Sequence, residues 1–263
     1  MATVRDCVYG QAVGDALGVP YEGLARDAFA CAGMVGFGAH RKPVGTWSDD
    51  TSLALALCDS IRACGRIDCA DVRARFLSWF NEGAYTVDGT FGVGNTTARA
   101  LIEGAGRAGE RDNGNGSLMR TVPLAFTEAT DEQVRAVSAI THAHPLSTEA
   151  CVEAVLFARL LAAGAGPREA AGAVWEEDVA AAPREAVPSG GFVRDTLRAA
   201  VWCLLTTGTF AECVLSAVNL GGDTDTTAAV AGAFAGIVYG ARGIPAEWLA
   251  TLRGKDIIER CLF

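Results

Sequence analysis

Helical spacing of apolar residues is the feature that most restricts the fold of this 263-residue chain. Such residues recur every three or four positions in nine segments. These segments cover residues 4–16, 51–64, 71–80, 96–108, 131–142, 148–163, 192–206, 210–218 and 226–239. No run of five or more residues shows the polar and β-branched alternation of a half-buried strand. The pattern predicts an all-α fold of ten or more helices, in a single compact multi-helix domain of residues 1–263.

One of the nine segments, residues 226–239, has a face made of small residues. Gly232 and Gly236 lie four positions apart within it, and Gly240 follows at the same interval. Glycines at this spacing let two helix backbones approach closely. The sequence therefore predicts that this helix is central and buried.

Charge and cysteine usage exclude several classes of protein. The chain has 31 acidic against 22 basic side chains, a formal charge of −9 and no basic run, so we expect no nucleic-acid partner. Its nine cysteines form no Cys-x-x-Cys pair and are expected to be reduced core thiols. The start lacks the apolar stretch of a secretory signal, and residues 226–241 are too few to span a bilayer. We expect a soluble cytoplasmic protein that makes no membrane contact and is a monomer.

Two acidic clusters lie in similar settings, each directly before an apolar helix. Residues 45–51 are Gly-Thr-Trp-Ser-Asp-Asp-Thr and residues 221–226 are Gly-Gly-Asp-Thr-Asp-Thr. Helix capping alone explains one such cluster, because Ser, Thr and Asp accept hydrogen bonds from free N–H groups at a helix start. Two carboxylates in each cluster are more negative charge than a cap requires.

The two clusters together are typical of a site for hard cations. In a helix, Asp223 and Asp225 would point about 200° apart, so their convergence needs a loop conformation, which Gly221 and Gly222 permit. Four gathered carboxylates repel each other, and a cation relieves that repulsion. Carboxylate and hydroxyl oxygens suit Mg²⁺ or Mn²⁺ better than Zn²⁺, and four carboxylates can serve two ions.

Four further segments carry groups that could contact a ligand. Glu22 follows the first predicted helix, although a solvated carboxylate is the simpler interpretation. Residues 112–120 form a glycine-rich loop that ends in Arg and matches neither nucleotide-binding fingerprint, so an anion cradle and a bare turn remain equally open. His142 and His144 lie at the end of a predicted helix that Pro145 terminates, and a polar contact to a ligand suits them better than a zinc site. Phe192, after a Ser-Gly-Gly turn, is either a stacking residue or a core residue.

Taken in order, these segments resemble the ADP-ribosylglycohydrolase family. Each motif alone is weak, but five of them in one order are specific. The matching residues are Gly14–Gly18 with Glu22, Trp47–Thr51, Gly114–Arg120, Thr141–Pro145 and Asn219–Thr227.

The resemblance implies an all-α fold and two Mg²⁺ or Mn²⁺ ions between the acidic clusters. The family pattern has Thr at the position of Ser48, so the hydroxyl is kept and a methyl is lost. The implied metal ligands are Ser48, Asp49, Asp50, Asp223, Asp225 and Thr226. The implied catalytic residues are Glu22, Asp50 and Asp225. The implied contacts with ADP-ribose are Gly114, Asn115, Gly116, Ser117, Met119, His142 and Phe192.

The implied activity is metal-dependent hydrolysis of the N- or O-glycosidic bond between ADP-ribose and an acceptor, with an ADP-ribosylated protein arginine as the first candidate. The alternatives are a two-metal phosphohydrolase that cuts the diphosphate, and a non-catalytic ADP-ribose binder. The acceptor side of the cleft falls to loops 23–46 and 81–95, which carry no diagnostic motif.

Overall fold

Thirteen α-helices make up most of the chain in the computed structural model, which describes residues 1–263. No sheet forms, so the all-α prediction is confirmed. The helices are α1 (Val4–Gly18), α2 (Asp49–Cys64), α3 (Cys69–Glu82), α4 (Asn95–Glu103), α5 (Leu118–Thr121), α6 (Asp131–Ala139), α7 (Pro145–Ala162), α8 (Pro167–Val174), α9 (Val193–Thr206), α10 (Phe210–Val218), α11 (Thr224–Tyr239), α12 (Ala246–Thr251) and α13 (Lys255–Cys261). Short 3₁₀ helices include Val19–Tyr21 and Gly38–His40.

Each of the nine predicted helical segments contains a helix, but two predicted ends are wrong. Helix α4 stops at Glu103, five residues before the predicted end, because Gly104 closes it in the left-handed conformation. Helix α6 stops at Ala139, and Pro145 begins α7 instead of closing the preceding helix. Proline suits a first helical position because the N–H that it lacks has no partner there. The side chain of His144 caps the new helix by accepting a hydrogen bond from the N–H of Leu146, at 3.2 Å.

Helices α1 and α11 cross in antiparallel contact at the centre of the molecule. A Cβ added to Gly10 would lie 2.1 Å from the carbonyl oxygen of Gly232, and one added to Gly14 would lie 2.0 Å from that of Ala228. Both contacts are far shorter than van der Waals distance, so only glycine permits this crossing. The predicted central helix is confirmed, since residues 224–237 of α11 are all buried.

The antiparallel crossing brings the end of α1 beside the start of α11. At this end, a Cβ on Gly18 would lie 2.4 Å from the Cα of Asp225. The turn into α11 is made by Gly221 and Gly222, whose φ angles of 74° and 71° belong to the left-handed region. A single apolar core of 65 buried residues supports these elements. None of the helices is both long enough and apolar enough to cross a bilayer.

Candidate active site

A polar cleft of about 340 Å³ opens where the end of α1 meets the starts of α2 and α11. Only one of its 18 lining residues, Met119, is hydrophobic. Such a surface suits a charged or sugar-like ligand better than an apolar one. The lining includes five carboxylate residues, which are Glu22, Asp49, Asp50, Asp223 and Asp225.

Asp15 organises the floor of this cleft, and the sequence motifs did not single out its role. It is fully buried near the end of α1 and accepts hydrogen bonds from the backbone N–H groups of Ser48 and Thr51, at 2.9 and 3.0 Å. The hydroxyl of Thr51 donates a third bond at 2.6 Å. Burial raises the pKa of the Asp15 carboxyl to about 6, although these hydrogen bonds act in the opposite direction. Asp15 therefore ties α1 to the start of α2.

Two other aspartates approach Asp15 from the starts of α2 and α11. Oxygens of Asp15, Asp50 and Asp225 all lie within 4.8 Å of one another. Burial, followed by the charges of neighbouring carboxylates, raises the pKa of Asp50 and Asp225 well above the ordinary value. One oxygen of Asp50, Oδ1, is buried and has no hydrogen-bond partner. An orphaned buried carboxylate oxygen is costly, so the cluster is arranged for a positive charge.

Ser48 caps α2 and orients Asp50. Its hydroxyl donates to Oδ2 of Asp50 at 2.8 Å and accepts from the backbone N–H of the same residue at 3.2 Å. Ser48 is buried and does not line the cleft, whereas Thr226, in the first turn of α11, does.

Asp49 and Asp223 lie on the walls beside this central group. Asp223 precedes α11 with non-helical backbone angles, so the opposite orientations expected for two helical positions do not arise. The amide of Asn115 holds it by donating to Oδ2 at 2.8 Å. Gly92, with φ 75°, lies against Asp49, where a Cβ would come 2.4 Å from Oδ1. Burial, followed by the charge of Asp15, raises the pKa of Asp49 well above its ordinary value.

Glu22 lines the same cleft and is partly exposed. One of its oxygens contacts Nε2 of His40, and these two residues share a group of potential ligand atoms with Asp225. The ring of His40 packs on the ring of Phe91 at a centroid distance of 5.1 Å. Nζ of Lys42 lies 4.8 Å from the centroid of the Phe91 ring. The loop around residues 37–42 thereby connects Glu22 to the loop that includes residue 91.

The glycine-rich loop forms one side of the cleft, but not every predicted contact faces it. Gly114, Asn115, Gly116 and Met119 line the cleft. Ser117 lies behind the loop, fully buried, where its hydroxyl accepts a hydrogen bond from the hydroxyl of Ser138 at 2.9 Å.

The lining of this side differs from the prediction at two residues, Phe192 and Arg111. Phe192 does not line the cleft and instead precedes α9, forming an isolated β-bridge with Gly114. Arg111, which the sequence analysis did not select, is the only Lys or Arg in the lining. Its exposed position in a loop gave no periodic or motif signal.

His142 faces the cleft, whereas His144 is the cap of α7. Burial, reinforced by the nearby charge of Arg120, lowers the pKa of His142 to about 3. The imidazole is therefore neutral near pH 7.

Comparison with known proteins assigns this arrangement to one family. The model of the ADP-ribosylglycohydrolase family matches residues 2–262. ADP-ribosylarginine hydrolase Tri1 of Pseudomonas putida is 33% identical over 282 residues, which cover 97% of this chain and 76% of the relative. ADP-ribosyl-(dinitrogen reductase) glycohydrolase of Rhodospirillum rubrum is 36% identical over 276 residues, with coverages of 95% and 90%.

A solved structure supports the same assignment. It is described as an ADP-ribosylglycohydrolase-related protein complex and superposes with a TM-score of 0.83 at 32% identity, covering 98% of this chain and 95% of that chain. The resemblance inferred from the five motifs is thus confirmed at the level of the family.

Proposed function

Because the chain belongs to the ADP-ribosylglycohydrolase family, we propose that it cleaves the bond between ADP-ribose and a protein arginine, using two Mg²⁺ or Mn²⁺ ions. The family and its named relatives are hydrolases of ADP-ribose linkages. The single observation that carries the proposal is the convergence of five carboxylates on one polar cleft beside a glycine-rich loop. Arginine is proposed as the acceptor because the P. putida relative is named for it.

The donor atoms of the cleft fit hard divalent cations. Asp15 already uses its oxygens for bonds to Ser48 and Thr51, so it supports the site and is not proposed as a ligand. Oδ1 of Asp50 has no protein partner, and the Asp50 carboxylate lies in the group of potential ligands that includes Asp225. All-oxygen donors of this kind suit Mg²⁺ or Mn²⁺. The residues proposed to hold the ions are Ser48, Asp49, Asp50, Asp223, Asp225 and Thr226.

The cleft also offers complementary groups for the two ends of the substrate. Backbone groups of Gly114 and Gly116, with the guanidinium of Arg111, are proposed to face the diphosphate. The distal ribose is proposed to lie toward the acidic cluster, and the acceptor toward loops 23–46 and 81–95. Phe192, which precedes α9 outside the cleft lining, is proposed to contact only the part of the substrate that extends beyond the cleft.

The carboxylates account for the chemistry of bond cleavage. When the bond to C1″ of the distal ribose breaks, positive charge develops on the sugar ring, and nearby carboxylates stabilise it. Glu22, a partly exposed carboxylate of the cleft, is proposed to exchange a proton with the leaving group. Asp50 and Asp225 are proposed to orient the attacking water. Bound cations would supply Lewis acidity and lower the pKa of that water.

A panel of substrates tests the proposal. Arginine-, serine- and acetyl-linked ADP-ribose are incubated with the protein in Mg²⁺, in Mn²⁺ and in chelator, and the products are separated by chromatography. We expect intact ADP-ribose from the arginine conjugate in either metal, and none in chelator. Release of AMP and ribose phosphate would instead identify a phosphohydrolase, and no release under any condition would refute hydrolysis.

A variant separates catalysis from folding. Asp225→Asn should lower the rate at least about a hundredfold, because it removes a charged group proposed to act on the reacting atoms. Its helical circular dichroism should equal that of the parent protein. Full activity in this variant would contradict the proposed two-metal site, whatever the acceptor is.

A further inference from the structure

The guanidinium of Arg120 is fully buried beneath the glycine-rich loop, and the proposed chemistry does not use it. The guanidinium of Arg120 donates to the carbonyl oxygen of Gly116 at 2.6 Å and to that of Val137 at 3.2 Å. It also donates to the hydroxyl oxygen of Thr141 at 2.9 Å. The ring of Phe76 covers it, with the central guanidinium carbon 4.7 Å from the ring centroid. Arg120 therefore donates hydrogen bonds to neutral oxygens, and these belong to residues next to the cleft.

The bond from Arg120 determines how the Thr141 hydroxyl can point. Arginine only donates, so Thr141 Oγ1 must accept in this pair. The remaining polar neighbour of that oxygen is Nδ1 of His142, at 2.8 Å. Thr141 is fully buried, and a hydroxyl hydrogen directed elsewhere would have no acceptor. The hydroxyl therefore donates to Nδ1, which must carry a lone pair.

The two bonds leave one choice for the proton on His142. A neutral imidazole carries hydrogen on one ring nitrogen only, so an accepting Nδ1 places it on Nε2. The low pKa of His142, about 3, means that the neutral ring is the relevant form at neutral pH. Nε2 lies beside the glycine-rich loop, 3.2 Å from the position of a Cβ on Gly116 and 3.7 Å from that on Gly114. This edge of the ring faces the cleft.

We propose that Arg120 and Thr141 are positioning residues that fix His142 as the Nε2–H tautomer, so that it donates a hydrogen bond to an oxygen of the bound substrate. The substrate oxygen belongs to the diphosphate or to a ribose hydroxyl, and this part rests on the proposed function. The opposite tautomer would direct a lone pair at that oxygen and repel it. The Arg120 guanidinium also donates to the carbonyl oxygen of Gly116, so one side chain fixes both the His142 tautomer and the position of the glycine-rich loop.

Nitrogen NMR of the histidines tests the tautomer without any substrate. The chain has three histidines, and His142→Gln identifies the signals of His142 by their loss. In the full-length Mg²⁺-loaded protein, long-range proton–nitrogen correlations should show Nε2–H over Nδ1–H by about tenfold or more, because the alternative leaves a buried hydroxyl unpaired. Thr141→Ser should keep this ratio, whereas Thr141→Val, which lacks the hydroxyl, should move it toward Nδ1–H. A dominant Nδ1–H form in the parent protein, or no change in Thr141→Val, would overturn the proposal.

Binding of ADP-ribose, measured by calorimetry, connects the tautomer to the ligand. Thr141→Val should weaken binding about tenfold, the loss of one hydrogen bond to a charged or hydroxyl oxygen, and Thr141→Ser should restore it. In turnover this loss should appear in KM with kcat within about threefold, because the contact is made in the bound ground state as well. In His142→Gln, whose amide donates regardless of residue 141, adding Thr141→Val should have no further effect.

The two readouts also separate this proposal from the proposed function. If the protein shows the expected tautomer but hydrolyses no conjugate, the proposed function is refuted and the positioning of His142 by Arg120 and Thr141 still holds. If the protein is active but its His142 tautomer is independent of Thr141, only this positioning role is refuted. If Thr141→Val does not fold, the tautomer in the parent protein and in Thr141→Ser still decides the question.

Discussion

Replacing Asp50 by Asn tests whether the carboxylate cluster is held together at the expense of stability when no cation is bound. Oxygens of Asp50, Asp15 and Asp225 lie within 4.8 Å of one another. Two unit charges at that distance repel by about 3 kcal/mol at an effective dielectric constant near 20. Asn keeps the size and the acceptor for Ser48 but removes the charge. Without metal at pH 8, we therefore expect Asp50→Asn to melt about 5–10 °C above the parent protein.

The pH dependence of the parent protein should follow from the same cluster. A carboxyl whose pKa is raised on folding binds more protons in the folded than in the unfolded state, so stability falls as pH rises from about 4 through the folded-state pKa. For Asp15, with a folded-state pKa of about 6, the loss between these values is about 3 kcal/mol. Asp49, Asp50 and Asp225, whose pKa values are also raised, should add to the loss.

Thermal melting from about pH 4 to pH 8, with and without Mg²⁺ or Mn²⁺, measures both effects. The cation should raise the melting temperature of the parent protein most at pH 8, and it should raise that of Asp50→Asn much less. Asp256→Asn, at an exposed position, is the matched control and should behave like the parent protein. If metal-free Asp50→Asn melts below the parent at pH 8, repulsion within the cluster is not the dominant effect and the reasoning fails.

Two further predictions test the helix crossing and the cleft wall. Gly232→Ala should destabilise the protein by about 1–3 kcal/mol in urea unfolding, because its Cβ would lie 2.3 Å from the carbonyl oxygen of Gly10. The control Gly172→Ala, on a helix with open space around the new methyl, should instead stabilise by about 0.5–1 kcal/mol, and equal effects would contradict the crossing. Arg111→Ala should raise KM for ADP-ribose conjugates about tenfold with little change in kcat, since one cation near the diphosphate is lost. Arg99→Ala, on the exposed side of α4, should leave KM unchanged, and the same KM for both variants would remove Arg111 from the site.

The helices were predictable from sequence because their apolar spacing is a local property. Residues 210–218, for example, form a helix with the predicted limits. The end of α6 was not predictable from sequence, because Pro145 is compatible with either the end of one helix or the start of the next. What decides between them is the cap at His144, which depends on the path of the loop.

The four aspartates that line the cleft were predictable because they occur in pairs beside glycines and hydroxyl residues. Asp15 was not, since a single carboxylate in an amphipathic helix has the same appearance as a solvent-exposed one. Its role depends on Ser48 and Thr51, which are more than thirty positions away. Ser117 shows the converse case, because a residue inside a motif that was predicted to contact the ligand is buried and bonds to Ser138. Side-chain direction in an irregular loop is set by tertiary packing, which local sequence does not encode.

The glycines that make the helix crossing possible also have a role in building the cleft. If α1 and α11 lay a side chain further apart, Asp15 and Asp225 could not bring oxygens within 4.8 Å of each other and of Asp50. Nearest the acidic cluster, the approach is set at Gly18, where any Cβ would lie 2.4 Å from the Cα of Asp225. Small residues are usually considered in terms of packing alone. In this chain their spacing fixes the distance between charged groups on two helices, so the glycine pattern and the acidic motifs describe one site.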